Sequence, residues 1–391
     1  MNILEEIQTC PVEWKELGEV VEVLDSLRRP ITKSQRIPGD IPYYGANGIQ
    51  DYVKDWIFDG TFILMGEDGS VIKNDNSPIL HWVIGKIWVN NHAHILGEVP
   101  GCALLKYVYY VLSQTDVSDI VRGTPPKLNQ KNLKSIKIPI PPLEIQKKIV
   151  QMLDKFTNYV TELTSELTSR KKQYSFYRDK LLSFEDEVYQ VEWKTLSEIA
   201  KVFGRGKSKH RPRNDARLYG GDIPFIQTGD IRGAGKWIEN FSKTYSDFGL
   251  EQSKKWEKGT LCITIAANIA ETGLLGFDAC FPDSIIGFVA NPEFAITEYV
   301  YYYLNSIKDH LANKSYGSAQ DNLNLAIFSS LKIPVPSLEI QSRIVEVLDN
   351  FDTICNDLYI GLPKEIELRQ KQYEYWRKMM FNFNKKGDSI L

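Results

Sequence analysis

Residues 143–184 contain neither glycine nor proline, and their apolar residues recur in alternating steps of four and three. The series is Ile149, Leu153, Phe156, Val160, Leu163, Leu167, Arg170, Tyr174, Tyr177, Leu181 and Phe184, with one arginine among the apolar positions. Such stepping is the heptad seam of a long helix packed lengthwise on another helix. The run starts after Ile138-Pro139-Ile140-Pro141-Pro142, where proline rings remove donors and block helix. At the rise of an α-helix the stretch would be about 63 Å long. A rod of that length acts as a spacer, which predicts a function that needs two things held a fixed distance apart.

The partner helix lies in the same chain. Ile333-Pro334-Val335-Pro336-Ser337-Leu338-Glu339-Ile340-Gln341 repeats Ile138-Pro139-Ile140-Pro141-Pro142-Leu143-Glu144-Ile145-Gln146 at an offset of 333 − 138 = 195. The match continues through Ile344, Val345, Leu348, Asp349 and Phe351. It resumes at Lys371-Gln372-Tyr373 against Lys172-Gln173-Tyr174, at 371 − 172 = 199, so the second copy carries four extra residues. Its seam reads Ile344, Leu348, Phe351, Cys355, Leu358, Leu362, Ile366, Arg369, Tyr373, Trp376, Met380 and Phe383. The insertion is a stutter, and Gly361 and Pro363 at that point predict a kink or break. Arg369 falls where Arg170 fell. A buried arginine could fix register, the slightly preferred role, or its stem could pack while the guanidinium reaches solvent.

The duplication extends beyond the helices. Val12-Glu13-Trp14-Lys15 answers Val191-Glu192-Trp193-Lys194, and Gly39-Asp40-Ile41-Pro42-Tyr43-Tyr44 answers Gly221-Asp222-Ile223-Pro224-Phe225-Ile226. Tyr107-Val108-Tyr109-Tyr110 answers Tyr299-Val300-Tyr301-Tyr302, and Gly123-Thr124 and Leu128-Asn129 answer Gly317-Ser318 and Leu323-Asn324. The landmarks keep their order while the residues between them diverge, as expected of a common scaffold with two different binding surfaces. Thr61–Met65 and Thr260–Ile265 read as strands and the tyrosine-rich segments as short buried helices. The predicted fold is α+β, with two mixed α/β domains separated by two long antiparallel coiled-coil helices in a pseudo-two-fold repeat. The expected divisions are a first domain over 1–138, a central helix over 139–187, a second domain over 188–333, and a C-terminal helix and tail over 334–391.

Net charge bears on the partner. At −3, with a pI near 6.1, the chain has no global attraction for a polyanion, so any nucleic-acid contact must come from local patches. One such patch is Gly204-Arg205-Gly206-Lys207-Ser208-Lys209-His210-Arg211-Pro212-Arg213, with five cations in ten positions. It could track phosphates or be a solvated loop. The equivalent loop of the first repeat, with Arg28, Arg29, Lys33 and Arg36, is also basic, and two such loops favour nucleic acid. Tyr43, Tyr44 and Asn47 follow the first loop; Gln227, Thr228, Asp230 and Arg232 follow the second. Amides and hydroxyls there suit base-edge readout, although turn chemistry explains Asn47-Gly48 and Gly229-Asp230 nearly as well.

Other motifs are weaker. Gly206-Lys207-Ser208 ends like a P-loop, but Lys201 stands where its leading glycine would be. His92 and His94 have no neighbouring carboxylate or cysteine in sequence, so a polar loop is preferred to a metal pair. Glu13-Trp14-Lys15 and Glu192-Trp193-Lys194 lack the upstream acid of a nuclease site, and both tryptophans are expected in the core. Five scattered cysteines without a Cys-x-x-Cys pair favour reduced thiols in a cytoplasm. No apolar run has membrane length. There is no Asn/Asp-Pro-Pro-aromatic motif and no Walker A, so chemistry must come from partners.

This organisation resembles the specificity (S) subunit of type I restriction–modification enzymes. The likeness rests on Gly221 through Ile231, on the paired Ile-Pro-x-Pro-x-Leu-Glu-Ile-Gln helix starts, and on Lys172-Gln173-Tyr174 through Arg178-Asp179-Lys180-Leu181-Leu182. It covers nearly the whole chain. It implies two target-recognition domains, each reading half of a split duplex DNA site, on a monomeric chain without a catalytic centre. It also implies two modification (M) subunits, with restriction (R) subunits, adenine N6 methylation using S-adenosylmethionine, and ATP and Mg in the partners rather than here. The rival from another class is a coiled-coil scaffold whose domains bind protein or glycan.

Overall fold

A computed structural model of the chain describes residues 3–69, 71–184, 191–266, 270–311, 324–357 and 359–383. Seam residue Leu358 and the landmarks Gly317, Ser318 and Leu323 lie outside them. Two compact units form, and they cut across the linear order. One comprises 1–162 with 367–391, the other 163–366. Each unit therefore holds one reader block and a segment of each long helical region.

In the first unit a two-stranded ribbon pairs Glu13–Glu16 antiparallel with Lys137–Ile140, placing Trp14 opposite Pro139. A six-stranded sheet has the order Val21–Val23, Ala93–Glu98, Phe58–Gly66, Leu80–Val89, Pro38–Gly45, Gly48–Val53. One sheet face packs on the tyrosine-rich helix Leu105–Leu112 and on both rods: Ile63, Met65, Leu96, Tyr107, Ile149, Leu153, Met380 and Phe383 share one core. As the long helix runs forward from Ile149 to Tyr159, its neighbours run backward from Phe383 to Arg369, so the pair is antiparallel.

The second unit repeats the frame and changes the sheets. Glu192–Thr195 pairs with Lys332–Val335, again with Trp193 opposite Pro334. Among the described residues two sheets stand in place of one, a five-stranded one beginning at Ala200–Arg205 and a four-stranded one around Tyr219–Phe225. Helix Thr297–Ser306 packs on Leu182, Ile344 and Leu348, and the ring of Tyr177 stacks on Phe351 at 5.8 Å, again antiparallel.

The long helix is continuous from Leu143 to Ser183. Its seam follows the expected steps as far as Tyr174: Ile149 and Leu153 are buried, and Phe156, Val160, Leu163, Leu167 and Tyr174 are half-buried between exposed neighbours, whereas Tyr177 is 45% exposed and Leu181 half-buried. At the far end Leu182 rather than Leu181 is the buried residue. In the second rod Ile344, Leu348, Cys355, Met380 and Phe383 are buried, with Phe351, Leu362, Ile366, Tyr373 and Trp376 half-buried.

The arginines correct the preference for a buried register pair. Arg170 donates to Gln173 and Glu166 of its own helix at 3.2 and 3.4 Å, with its side chain 43% exposed. Arg369 donates to Gln372 at 3.0 Å and lies 5.1 Å from the Tyr159 ring. Both heads reach the surface, where hydration costs nothing.

The second rod breaks where the insertion predicts. One helix ends at Asn356 and the next starts at Leu362, with Pro363 in a first turn that needs no donor from it. Asp357 Oδ1 accepts from the N–H groups of Tyr359 and Ile360, and Gly361 closes the turn. A Cβ at Gly361 would sit 2.4 Å from the Thr353 carbonyl oxygen. Gly361→Ala is therefore expected to destabilise the chain by about 1–3 kcal/mol in thermal or denaturant unfolding. Wild-type stability would contradict this packing.

The two tryptophans also differ from expectation. Trp14 is 43% and Trp193 54% exposed, because Ile138 and Ile333 fill the core side of each ribbon.

Candidate nucleic-acid interface

In the second unit the basic loop leaves the end of strand Ala200–Arg205 through Gly206. A side chain at Gly206 would collide with the Phe281 carbonyl oxygen at 2.2 Å, so glycine lets the loop pass close to its neighbour. The loop is then pinned. Lys209 N–H donates to the Gln252 carbonyl at 3.1 Å, and Ser253 Oγ donates to the Lys207 carbonyl at 2.8 Å. With the backbone held, Arg205, Lys207 and Lys209 are exposed, and among the described residues no carboxylate pairs with them. Arg211 folds back on the Ser208 and His210 carbonyls. Arg213 is paired with Asp283 at 2.8 Å.

Sequence reasoning missed Lys254, which lies over the Trp256 ring at 3.5 Å. Burial, then the positive charge of Lys207, lowers its pKa, so the two lysines share one field. Lys243 over Tyr219 is a further basic residue of this unit. The signal was the run Lys254-Lys255-Trp256, which no motif had claimed.

The residues at 227–232 do other work. Gln227 caps helix Thr228–Arg232, its N–H donating to Asp230 Oδ2 at 2.7 Å, and Asp230 also accepts from Ser242. Thr228 is half-buried and Arg232 is exposed. Asp230 lines a groove of about 800 Å³ together with Glu239, Asp349, Asp352 and Asp357, against the single cation Lys236. Such a wall repels phosphate. Turn and cap chemistry accounts for the contacts that Gln227 and Asp230 make within the fold.

In the first unit the loop is likewise divided. Arg29 and Lys33 are exposed, and the Arg29 carbonyl accepts from Trp88 Nε1 at 2.6 Å, which fixes the loop to the sheet. Arg36 pairs with Asp51 at 3.1 Å and lies 4.1 Å above the Tyr43 ring. Tyr43 is 1% exposed, so it supports Arg36 from inside rather than meeting a groove. Tyr44 is half-buried beside His81, and Asn47 is exposed in the turn of the edge hairpin, just before Gly48 at φ +108°. Exposed Tyr52 and Trp56, the latter under Lys86 at 3.6 Å, add aromatic surface to this unit.

Arg28 is internal. It bonds Glu67 and the Ala93 carbonyl within a cluster that holds Asp25 and His94, which are 2.6 Å apart. Burial alone would raise the Asp25 pKa. The His94 hydrogen bond and charge, the Ile95 N–H and Arg28 outweigh it and hold the carboxyl below its ordinary range. Asp25, Glu67 and His94 have the spacing of metal ligands, but Arg28 and Lys127 already supply the balancing charge. The cluster is a buried polar network, and Arg28 is structural.

A duplicated frame that carries two unlike basic loops is the build of a two-headed recognition protein. The model of the type I restriction modification DNA specificity domain matches residues 11–170 and again 190–368. The specificity subunit of EcoR124I/EcoR124II from Escherichia coli is 38% identical over 72% of each chain. A Haemophilus influenzae chain assigned as a type I restriction enzyme specificity subunit is 35% identical over 97% of each. The crystal structure of a type I S subunit from M. genitalium shares the fold, with a TM-score of 0.61 over 96% of this chain and 98% of that one, at 16% identity. The chain belongs to the type I restriction–modification specificity subunit family. No described helix is long and apolar enough to cross a membrane.

Proposed function

We propose that this chain reads an asymmetric, two-part duplex DNA site, one half with each unit, and carries the modification and restriction subunits that act there. The observation that supports this most is the pair of pinned loops, which present Arg29 and Lys33 in one unit and Arg205, Lys207 and Lys209 in the other. They occupy equivalent places in a repeated frame but differ in sequence, as two readers of different half-sites must. Half-sites read from one face of B-DNA lie roughly 34 Å apart. A continuous helix of 41 residues is the natural ruler for such a separation.

The frame supports the partners too. Trp14 and Trp193 are exposed at equivalent positions of the two ribbons, and Leu143 and Leu338, at equivalent helix starts, are 37% and 39% exposed. Equivalent apolar patches suit two copies of one partner, the modification subunit. S-adenosylmethionine, ATP and Mg belong in this reading to the partners, which supply methyl transfer and ATP-driven cleavage. The free cysteines fit a reducing cytoplasm.

A DNA mobility-shift assay of this chain with its modification subunits tests the function. Sequence-selective binding that survives non-specific competitor is expected. Trp14→Ser with Trp193→Ser should reduce recovery of the modification subunit on co-purification at least tenfold. A complex without sequence preference would favour a scaffold for protein or glycan, and undiminished recovery would remove the tryptophans from the docking surface.

A further inference from the structure

Each reader block is fastened to its rod by the same polar clamp. In the first unit Gln146 is wholly buried; its Oε1 accepts from Leu104 N–H at 2.9 Å and its Nε2 donates to the Pro141 carbonyl at 2.9 Å. In the second, Gln341 Oε1 accepts from Ile296 N–H at 2.9 Å, and Nε2 donates to the Phe294 and Pro336 carbonyls at 3.0 and 2.8 Å. Leu104 and Ile296 each cap the start of a tyrosine-rich helix. Tyr107 donates to the Pro139 carbonyl at 2.7 Å and Tyr299 to that of Pro334 at 2.8 Å. Tyr110 donates to Asp154 of the long helix, and Tyr302 to Asp349 of the second rod.

The sheets of the two units differ in number and order, yet these contacts recur pair for pair. Apolar packing is non-directional and tolerates rotation. Hydrogen bonds from buried amides and phenols admit a narrow range of angles, and leaving any of them unmade is costly. Burial, then the carboxylates, hold Tyr110 and Tyr302 far above the ordinary phenol range, so both remain donors at any working pH.

We propose that these clamps are positioning residues for DNA recognition: they fix the angle of each reader block on its rod and so set the spacer length tolerated between half-sites. The inference rests on the two-part DNA reading above. Base choice stays with the loops and the mean separation with the helix; the clamp governs how far the spacer may depart from it.

The test uses the complex of this chain with its modification subunits on plasmids bearing its own half-sites at the native spacing and at one base pair more or fewer. Tyr110→Phe with Tyr302→Phe keeps both rings and their volume. The rate ratio of native to altered spacing should fall about tenfold or more, with the half-site bases unchanged. Asp154→Asn, whose amide oxygen still accepts from Tyr110, should keep wild-type discrimination. Gln341→Ala should act like the tyrosine pair. Should it fail to assemble, the tyrosine variant decides. A two-part wild-type site with undiminished spacer discrimination in the phenylalanine variant overturns the clamp's role alone, even if methylation slows overall. A wild-type complex that methylates no two-part site overturns the function and the inference together.

Discussion

Changing Arg205, Lys207 and Lys209 together to alanine is expected to weaken DNA binding by about a hundredfold near physiological salt and to lower the salt slope by about three. Each phosphate contact releases about 0.9 of a counterion on B-DNA, worth about 0.7 log unit at 0.15 M salt relative to 1 M. Three contacts therefore supply about two log units. Among the described residues the three side chains take part in no ion pair, and Gln252 and Ser253 hold the backbone that carries them. Their removal should leave unfolding unchanged, since exposed charges contribute little to stability. Arg213→Ala should weaken binding less, because Asp283 already neutralises that guanidinium. Salt titration of binding checks both, and an unaltered slope in the triple variant would take the loop out of the interface.

The second large effect concerns the blocks. Exchanging residues 191–333 for the corresponding block of another specificity subunit should replace one half of the recognised sequence completely and leave the other half and the spacer intact. The frame permits the exchange because its attachments are generic. The ribbon with Lys332–Val335 and the Gln341 cap use backbone atoms that any block starting and ending alike would offer, and the Pro334 carbonyl asks only for a tyrosine in the place of Tyr299. Sequencing of methylated bases reads the result. Alteration of both halves by a single exchange would mean that the units do not read independently.

Much of the frame was legible beforehand. The steps of four and three survive as burial from Ile149 to Tyr174 because a long helix leaves its periodicity in the sequence. The break at Gly361 was legible because glycine and proline act locally. Trp14 and Trp193 were not, since residue type does not tell which side of a two-stranded ribbon faces the core. Arg28 looked like its basic neighbours, and its partners Glu67 and the Ala93 carbonyl are 39 and 65 positions away, joined only by sheet pairing. Gln227 and Asp230 carried both turn and readout chemistry in sequence, and the fold shows the cap. The clamps were visible as repeats, at 302 − 110 = 192 and 349 − 154 = 195, but which tyrosine meets which aspartate needed the fold.

The most direct measurement is the methylome of a host that expresses this chain with its modification subunits, set against the same host without this chain. The account predicts one new motif made of two unlike, defined half-sites around a gap of fixed length. A single uninterrupted motif, or a methylome indifferent to the presence of this chain, would contradict it.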